Sequence, residues 1–275
     1  MKLKFTRGPG IHSRKAGLPP GTLVYSGERE AQAPRITILD YNPDEFTDRQ
    51  VEKPEECFSL RDSGTVSWIN VDGFGDVSVI EKLGNHFGMH PLAQEDILNT
   101  GQRPSSDDYE KYLFLMLKML TYNSEQQRIE TEHVSMVLGK GFVISFQERP
   151  GDVFEQIRSR IRNNKGRIRK MSADYLCYCL IDAIVDNYFV VLENLSEQIE
   201  SLEQQVMHEP SEQTLTQIYM IKREMITLRR SIWPLREVVN GIQRNESGLI
   251  GSATQIYLRD VYDHTIQVID TVESY

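Results

Sequence analysis

Residues 112–120 read Tyr112-Leu113-Phe114-Leu115-Met116-Leu117-Lys118-Met119-Leu120. Side chains along a strand alternate between two faces, and here both faces are apolar, interrupted only by Lys118. A strand that is apolar on both sides must be covered on both sides. The run therefore calls for a sheet with a layer above it and a layer below it. The flanking sequence supplies the pieces. Thr22–Ser26, Arg35–Tyr41 and Val66–Val71 are β-branched or aromatic runs bounded by Gly and Pro, and read as strands. His133–Leu138 and Phe142–Phe146 flank Gly139-Lys140-Gly141, a hairpin signature. Asp76–Phe87 places Val77, Ile80, Leu83 and Phe87 on one helical face, with Asp76 as the N-cap. Pro91 suits the first turn of a short helix reaching Asn99. Together these predict an α/β fold, an α/β/α sandwich over residues 1–165 with five or more strands, preceded by an irregular Pro- and Gly-rich arm.

Beyond Asp152 no run reads as a strand. Leu192, Leu195, Ile199, Leu202 and Val206 form an apolar seam at spacings of three and four. Ile218, Ile221, Met225, Leu228, Ile232, Leu235, Val239 and Ile242 form a second. Between them Pro210 ends one helix and Ser211 caps the next. The expectation for 166–243 is all-α: a long antiparallel helical hairpin of two similar arms, the second kinked by Pro234 near Arg230. Residues 244–275 then give a loop, starting as early as Asn240, and a last helix from about Gln255. That helix meets no stop signal at Tyr275, as expected of a stalk that is cut from something longer.

The chain has 275 residues, with 31 Lys and Arg against 40 Asp and Glu, a formal charge of −9. An acidic balance argues against a nucleic-acid binder and is compatible with cation binding. The basic cluster Arg158, Arg160, Arg162, Lys165, Arg167, Arg169 and Lys170 lacks interleaved aromatics, and reads as a solvated helix end or a salt-bridge partner for the acidic faces. The most apolar segment, Tyr175–Leu192, is broken by Asp182, Asp186 and Asn187, so no transmembrane helix is expected, nor is there a signal-peptide core. Three cysteines, Cys57, Cys177 and Cys179, are no disulfide framework; they read as small core residues in a reducing compartment.

No P-loop, Gly-x-Ser-x-Gly, His-Glu-x-x-His or Cys-x-x-Cys is present, and no enzyme is expected. Carboxylate placement is the informative feature. Glu95 and Asp96 share the short helix after Pro91. Asp182 and Asp186 stand one turn apart on an otherwise apolar helix, and Asp260, Asp263 and His264 share a face of the last helix. Like charges so spaced repel unless a cation or a basic side chain offsets them. Oxygen-rich clusters suit hard cations such as Mg2+ or Ca2+. The plain alternative is a solvated acidic face, which Asp182, among Leu180, Ile181, Ala183 and Ile184, fits least well.

Six segments in order carry a resemblance: Gly17-Leu18-Pro19-Pro20-Gly21-Thr22, Trp68-Ile69-Asn70, His90-Pro91-Leu92 with Glu95-Asp96-Ile97-Leu98-Asn99, Gln102-Arg103-Pro104, Ser231-Ile232-Trp233-Pro234-Leu235-Arg236, and Asp260-Val261-Tyr262-Asp263-His264-Thr265. The chain resembles the CorA family of magnesium and cobalt channels over nearly its whole length. The resemblance implies the cytoplasmic domain of a homopentameric channel of the bacterial inner membrane, joined to the membrane only through C-terminal helices that this chain lacks. The isolated domain is compatible with a monomer, and no nucleic acid is involved. It further implies regulatory Mg2+, with Co2+ or Ca2+ as substitutes, bound between subunits and favouring the closed state. The implied main site pairs Asp96 with Asp260 of the next subunit. The implied second site draws on Glu95 and Asp182, with Asp263 or His264 nearby. The rival within the superfamily is a zinc transporter of the ZntB type. Rivals of other classes are a metal-dependent hydrolase, which needs carboxylates converging in one pocket, and a metal-free helical scaffold.

Overall fold

The computed structural model of the chain describes residues 17–27, 30–208, 211–244 and 247–275. Seven strands, β1 (Arg35–Tyr41), β2 (Phe46–Val51), β3 (Val66–Asp72), β4 (Ser105–Asp108), β5 (Tyr112–Asn123), β6 (Arg128–Gly139) and β7 (Phe142–Gln147), form one sheet ordered β2-β1-β3-β7-β6-β5-β4. β3 and β7 pair in parallel and the other neighbours antiparallel. The two-faced run is β5, and it is covered on both sides. One face packs Ile38, Ile69, Phe114 and Ile144 against α1 (Val77–Phe87), α2 (Pro91–Leu98) and a 3₁₀ helix at Pro54–Asp62. The other packs Trp68, Leu115, Leu117 and Val143 against α3 (Glu155–Arg162), α4 (Ala173–His208), α6 (Leu235–Gln243) and α7 (Ser252–Ser274). The expected α/β/α sandwich followed by helices is therefore the fold. A single apolar cluster runs from the sheet through α4 into α7.

The helix signals act as read. Asp76 accepts from the Ser78 amide at 3.0 Å, and Gly88 ends α1 in the left-handed conformation at φ 74°. Pro91 opens α2, where His90 Nδ1 accepts from the Leu92 amide at 3.2 Å. Ser211 Oγ accepts from the Thr214 amide at 3.1 Å at the start of α5 (Glu212–Ile232). Pro210 itself, and the arm over residues 1–16, lie outside the described residues. Cys57, Cys177 and Cys179 are buried and free.

Several details differ from the sequence reading. Thr22–Ser26 is irregular rather than a strand; it runs beside the end of α2, where the Ser26 amide donates to the Leu98 carbonyl at 3.1 Å. β2 and β4 escaped notice because their residues are polar and lie at the two sheet edges. Pro234 breaks the second arm instead of kinking it, so α5 stops at Ile232 and α6 restarts at Leu235. The arms are unequal: α4 has 36 residues and α5 has 21. α6 continues to Gln243 and α7 starts at Ser252, which shortens the expected loop at both ends. The seam of the hairpin is open at its far end, where Ile218 is 40% exposed. Ile199, Leu202 and Val206 of α4 face Ile221 and Met225 of α5 across a groove of about 860 Å3.

The expectation that no segment is apolar enough to span a membrane is corrected by α4. By length and composition it passes, with a window of mean hydropathy 1.6, because the strongly apolar residues around Asp182 and Asp186 outweigh them. Yet 61% of that window is buried inside the protein, as befits the helix at the centre of the core.

α7 docks through Leu258, Val261, Thr265 and Val268, all buried, at helical spacing. Leu258→Ala is expected to lower the unfolding free energy in a urea titration by about 2–5 kcal/mol, and a loss well under about 1 kcal/mol would contradict this docking.

Candidate metal centre

The docking of α7 on α4 decides which acidic groups meet. Asp182 and Asp186 lie one turn apart on α4, and His264 reaches them from α7. One ligand atom from each lies within 4.8 Å of the others. Among the described residues no other three His, Cys, Asp or Glu groups converge so closely. Asp182 and His264 are half-buried, and Asp186 is exposed, so the group opens to solvent on one side.

The electrostatics of this group are strained. Burial pushes the Asp182 carboxyl up to about 6, and the neighbouring Asp186 carboxylate adds to the rise. The Tyr178 hydroxyl donates to Asp182 Oδ2 at 3.2 Å, and His264 and Arg160 also pull the carboxyl down, without cancelling the rise. His264 Nδ1 is buried and has no hydrogen-bond partner. Two mutually repelling carboxylates beside an orphaned ring nitrogen fit a divalent cation. The donor set of two oxygens and one nitrogen suits a borderline cation such as Co2+ directly. For Mg2+, which prefers oxygen and keeps several waters, it suits contact through bound water.

The other expected residues lie elsewhere. Asp260 is on α7 one turn before His264, and both Asp260 and Asp263 are exposed. Neither belongs to the converging group. Glu95 and Asp96 are on α2, which packs on the opposite face of the sheet from α4 and α7. There Glu95 Oε2 accepts from the Gly21 amide at 2.6 Å, and Asp96 Oδ1 accepts from Gln102 Nε2 at 2.8 Å. Within one chain the sheet separates Asp96 from Asp260 and Glu95 from Asp182. Any pairing of these groups is between chains.

Asp186 is the residue that the expected site set omitted. Its signal was in the sequence, as the partner of Asp182 four residues on; what the sequence did not show was that α7 docks His264 against that pair. The basic cluster does not pair with these acidic faces as expected; its ion pairs are to other acids. Arg162 pairs with Asp48 at 2.6 Å and Glu155 at 2.7 Å, and Arg158 pairs with Asp152.

The fold is a seven-stranded mixed sheet covered by helices, with two carboxylates and an imidazole converging where its last helix docks. The profile of the family described as "CorA-like Mg2+ transporter protein" matches residues 63–275. The chain belongs to that family, whose members are transporters rather than enzymes. It is 46% identical over 263 residues to the cobalt/magnesium transport protein CorA of Thermotoga maritima, covering 96% of this chain and 75% of that relative. It is 27% identical over 212 residues to the putative metal ion transporter YfjQ of Bacillus subtilis, covering 76% of this chain and 64% of that relative. In fold it resembles the soluble domain of CorA from Methanocaldococcus jannaschii, with a TM-score of 0.71 at 16% identity, over 87% of this chain and 91% of that one. It also resembles the cytoplasmic domain of ZntB from Vibrio parahaemolyticus, with a TM-score of 0.65 at 15% identity, over 87% and 92%.

An acid whose pKa is raised by folding holds its proton more tightly folded than unfolded. The stabilisation from protonated Asp182 is therefore present below the ordinary value of 3.8 and lost as pH rises to about 6. Asp182→Asn is expected to melt higher than the parent protein at pH 7, with the difference growing between about pH 4 and pH 6 and then levelling off. A thermal-denaturation series in which the difference does not vary with pH would contradict the assignment.

Proposed function

We propose that this chain is the cation-sensing regulatory part of a CorA-type Mg2+/Co2+ transporter, in which a bound divalent ion favours the closed state. The observation that carries this reading is the convergence of Asp182, Asp186 and the unpartnered His264 where α7 docks on α4. α7 is the helix expected to lead on to a membrane part. A ligand gripping α7 against α4 thus acts on the element that connects sensor to pore. Bound there, a cation supplies positive charge that offsets the repulsion of two carboxylates.

The remaining acidic residues have an intersubunit role in this reading. Asp96 of one subunit faces Asp260 of the next in a pentamer, and Glu95 joins Asp182 across the same boundary, with Asp263 at its margin. Without the ion, facing carboxylates push neighbouring subunits apart; with it, the closed arrangement is favoured. The ligand shifts a two-state equilibrium by its preference for one state. In this reading the chain divides at 1–165, 166–243 and 244–275 into the sheet with its first helices, the helical hairpin packed on it, and the loop with the start of the stalk. The site of action is the cytoplasmic face of the inner membrane. Mg2+ is the regulatory ligand, and the imidazole donor makes Co2+ the tighter probe. A zinc transporter of the ZntB type remains the rival reading; the 46% identity to a cobalt/magnesium protein favours the first.

A Co2+ or Mg2+ titration at matched ionic strength is expected to raise the melting temperature. At about 100 times Kd the added stability is about 2.7 kcal/mol. Asp182→Ala and His264→Ala are expected to abolish the rise with Co2+; retention of the full rise in both variants would contradict the α4–α7 site. In the full-length transporter, Asp96→Ala and Asp260→Ala are expected to remove Mg2+-dependent protection from protease. Unchanged protection in both would contradict the intersubunit site.

A further inference from the structure

Helix α2 carries its two acids at the wrong end. Glu95 and Asp96 lie in the last turn of an eight-residue helix that has no basic residue there. The C-terminus of a helix carries a partial negative charge and a set of unpaired carbonyls, so carboxylates are disfavoured at that position. Something outside the helix must correct the charge and claim the carbonyls.

The correction comes from the sheet beneath. Lys118 interrupts the apolar run of β5 and sits opposite His133 of β6 in the strand register. Lys118 Nζ donates to the Thr100 carbonyl just past the end of α2, at 2.6 Å, and lies 3.5 Å from His133 Nδ1. His133 is 1% exposed, and Ser135 Oγ is 2.9 Å from its Nε2. Burial and the neighbouring Lys118 ammonium push the His133 ring well below its ordinary value, so Lys118 carries the charge of the pair. The other carbonyls at this end are claimed locally: Asp96 by the Asn99 amide, Leu98 by the Ser26 amide and Asn99 by the Gln102 amide, each at 3.1 Å. Lys118 thus does for α2 what basic residues in a last turn commonly do for their own helix.

We propose that Lys118, backed by His133 and Ser135, is a positioning residue for Asp96, a charged cap that fixes the acidic turn of α2 from the sheet below. Burial lowers the Lys118 ammonium to about 8, which leaves it charged at neutral pH. Held at the Thr100 carbonyl, this ammonium ties the end of α2 to the sheet, and Glu148 is the carboxylate that acts on it. It also fixes the turn that aims the Asp96 carboxylate. The consequence for cation binding rests on the reading of Asp96 as a regulatory metal ligand; the cap itself does not.

The test compares Lys118→Met, which keeps the length and apolar stem, with Lys118→Arg, which keeps a charged donor. Ser135→Ala serves as a milder variant that leaves the lysine in place. Hydrogen exchange of the whole chain is read at residues 96–101, with α1 as internal control. Lys118→Met is expected to speed exchange at 96–101 by about ten- to a hundredfold, the loss of one charged hydrogen bond, and to leave α1 unchanged. Lys118→Arg is expected to restore most of the protection, and Ser135→Ala to give a smaller change of the same sign. Unchanged exchange at 96–101 in Lys118→Met, or acceleration spread equally over α1 with no rescue by arginine, would overturn the proposal. In the full-length transporter, Lys118→Met is expected to raise the Mg2+ concentration giving half-maximal protease protection, with Lys118→Arg close to the parent. If Lys118→Met leaves that concentration unchanged while Asp96→Asn raises it, the positioning role is overturned. If Asp96→Asn leaves it unchanged, the metal reading of Asp96 falls and takes the consequence for binding with it, while the exchange data still decide the cap.

Discussion

Helix α4 carries a window of mean hydropathy 1.6, and the rest of the molecule is arranged to keep water away from it. The sheet covers one side through Leu115, Leu117 and Val143; α7 covers another through Leu258, Val261 and Val268. Removing apolar surface from water contributes roughly 25 cal/mol per Å2, and no other element offers α4 as continuous a partner as the sheet does. Tyr188 shows how closely the two are joined, because its buried hydroxyl donates to the Lys118 carbonyl in β5. The position of α7 is then a consequence of apolar burial, with the polar groups carried along.

That is why the placement of Asp182 is informative. A carboxyl in the middle of this helix costs stability, and burial together with Asp186 raises its pKa. A structural role alone would be met by an uncharged residue. The arrangement keeps the acids, sets His264 beside them and leaves its Nδ1 unpartnered. Groups held in a tense, incompletely paired arrangement at a helix–helix contact are suited to a ligand that relieves the tension. On the other face of the sheet the half-buried Lys118 holds the Thr100 carbonyl just past the acidic end of α2.

Much of this was legible from residue order. The two-faced apolar run of β5 required a three-layer sandwich. Asp76, Pro91 and Ser211 marked helix starts because their side chains or rings satisfy or remove orphan amide donors. Edge strands β2 and β4 were not legible, since polar residues at an edge carry no burial pattern. Thr22–Ser26 misled because its β-branched residues suit a strand, while its amide at Ser26 is taken by the end of α2. For the site, the repulsive spacing of Asp182 and Asp186 could be read in one dimension. The approach of His264, 78 residues beyond Asp186 in the chain, needed the docked α7, because no local pattern encodes a contact between distant helices. The same holds for the reach of Lys118 to the end of α2.

The account turns on a cation lying between α4 and α7. Anomalous diffraction at the cobalt absorption edge, from crystals of the chain equilibrated with Co2+, tests this most directly. The account predicts a peak within bonding distance of Asp182, Asp186 and His264, absent in crystals of His264→Ala. Cobalt peaks elsewhere on the molecule, with none between α4 and α7, would contradict it.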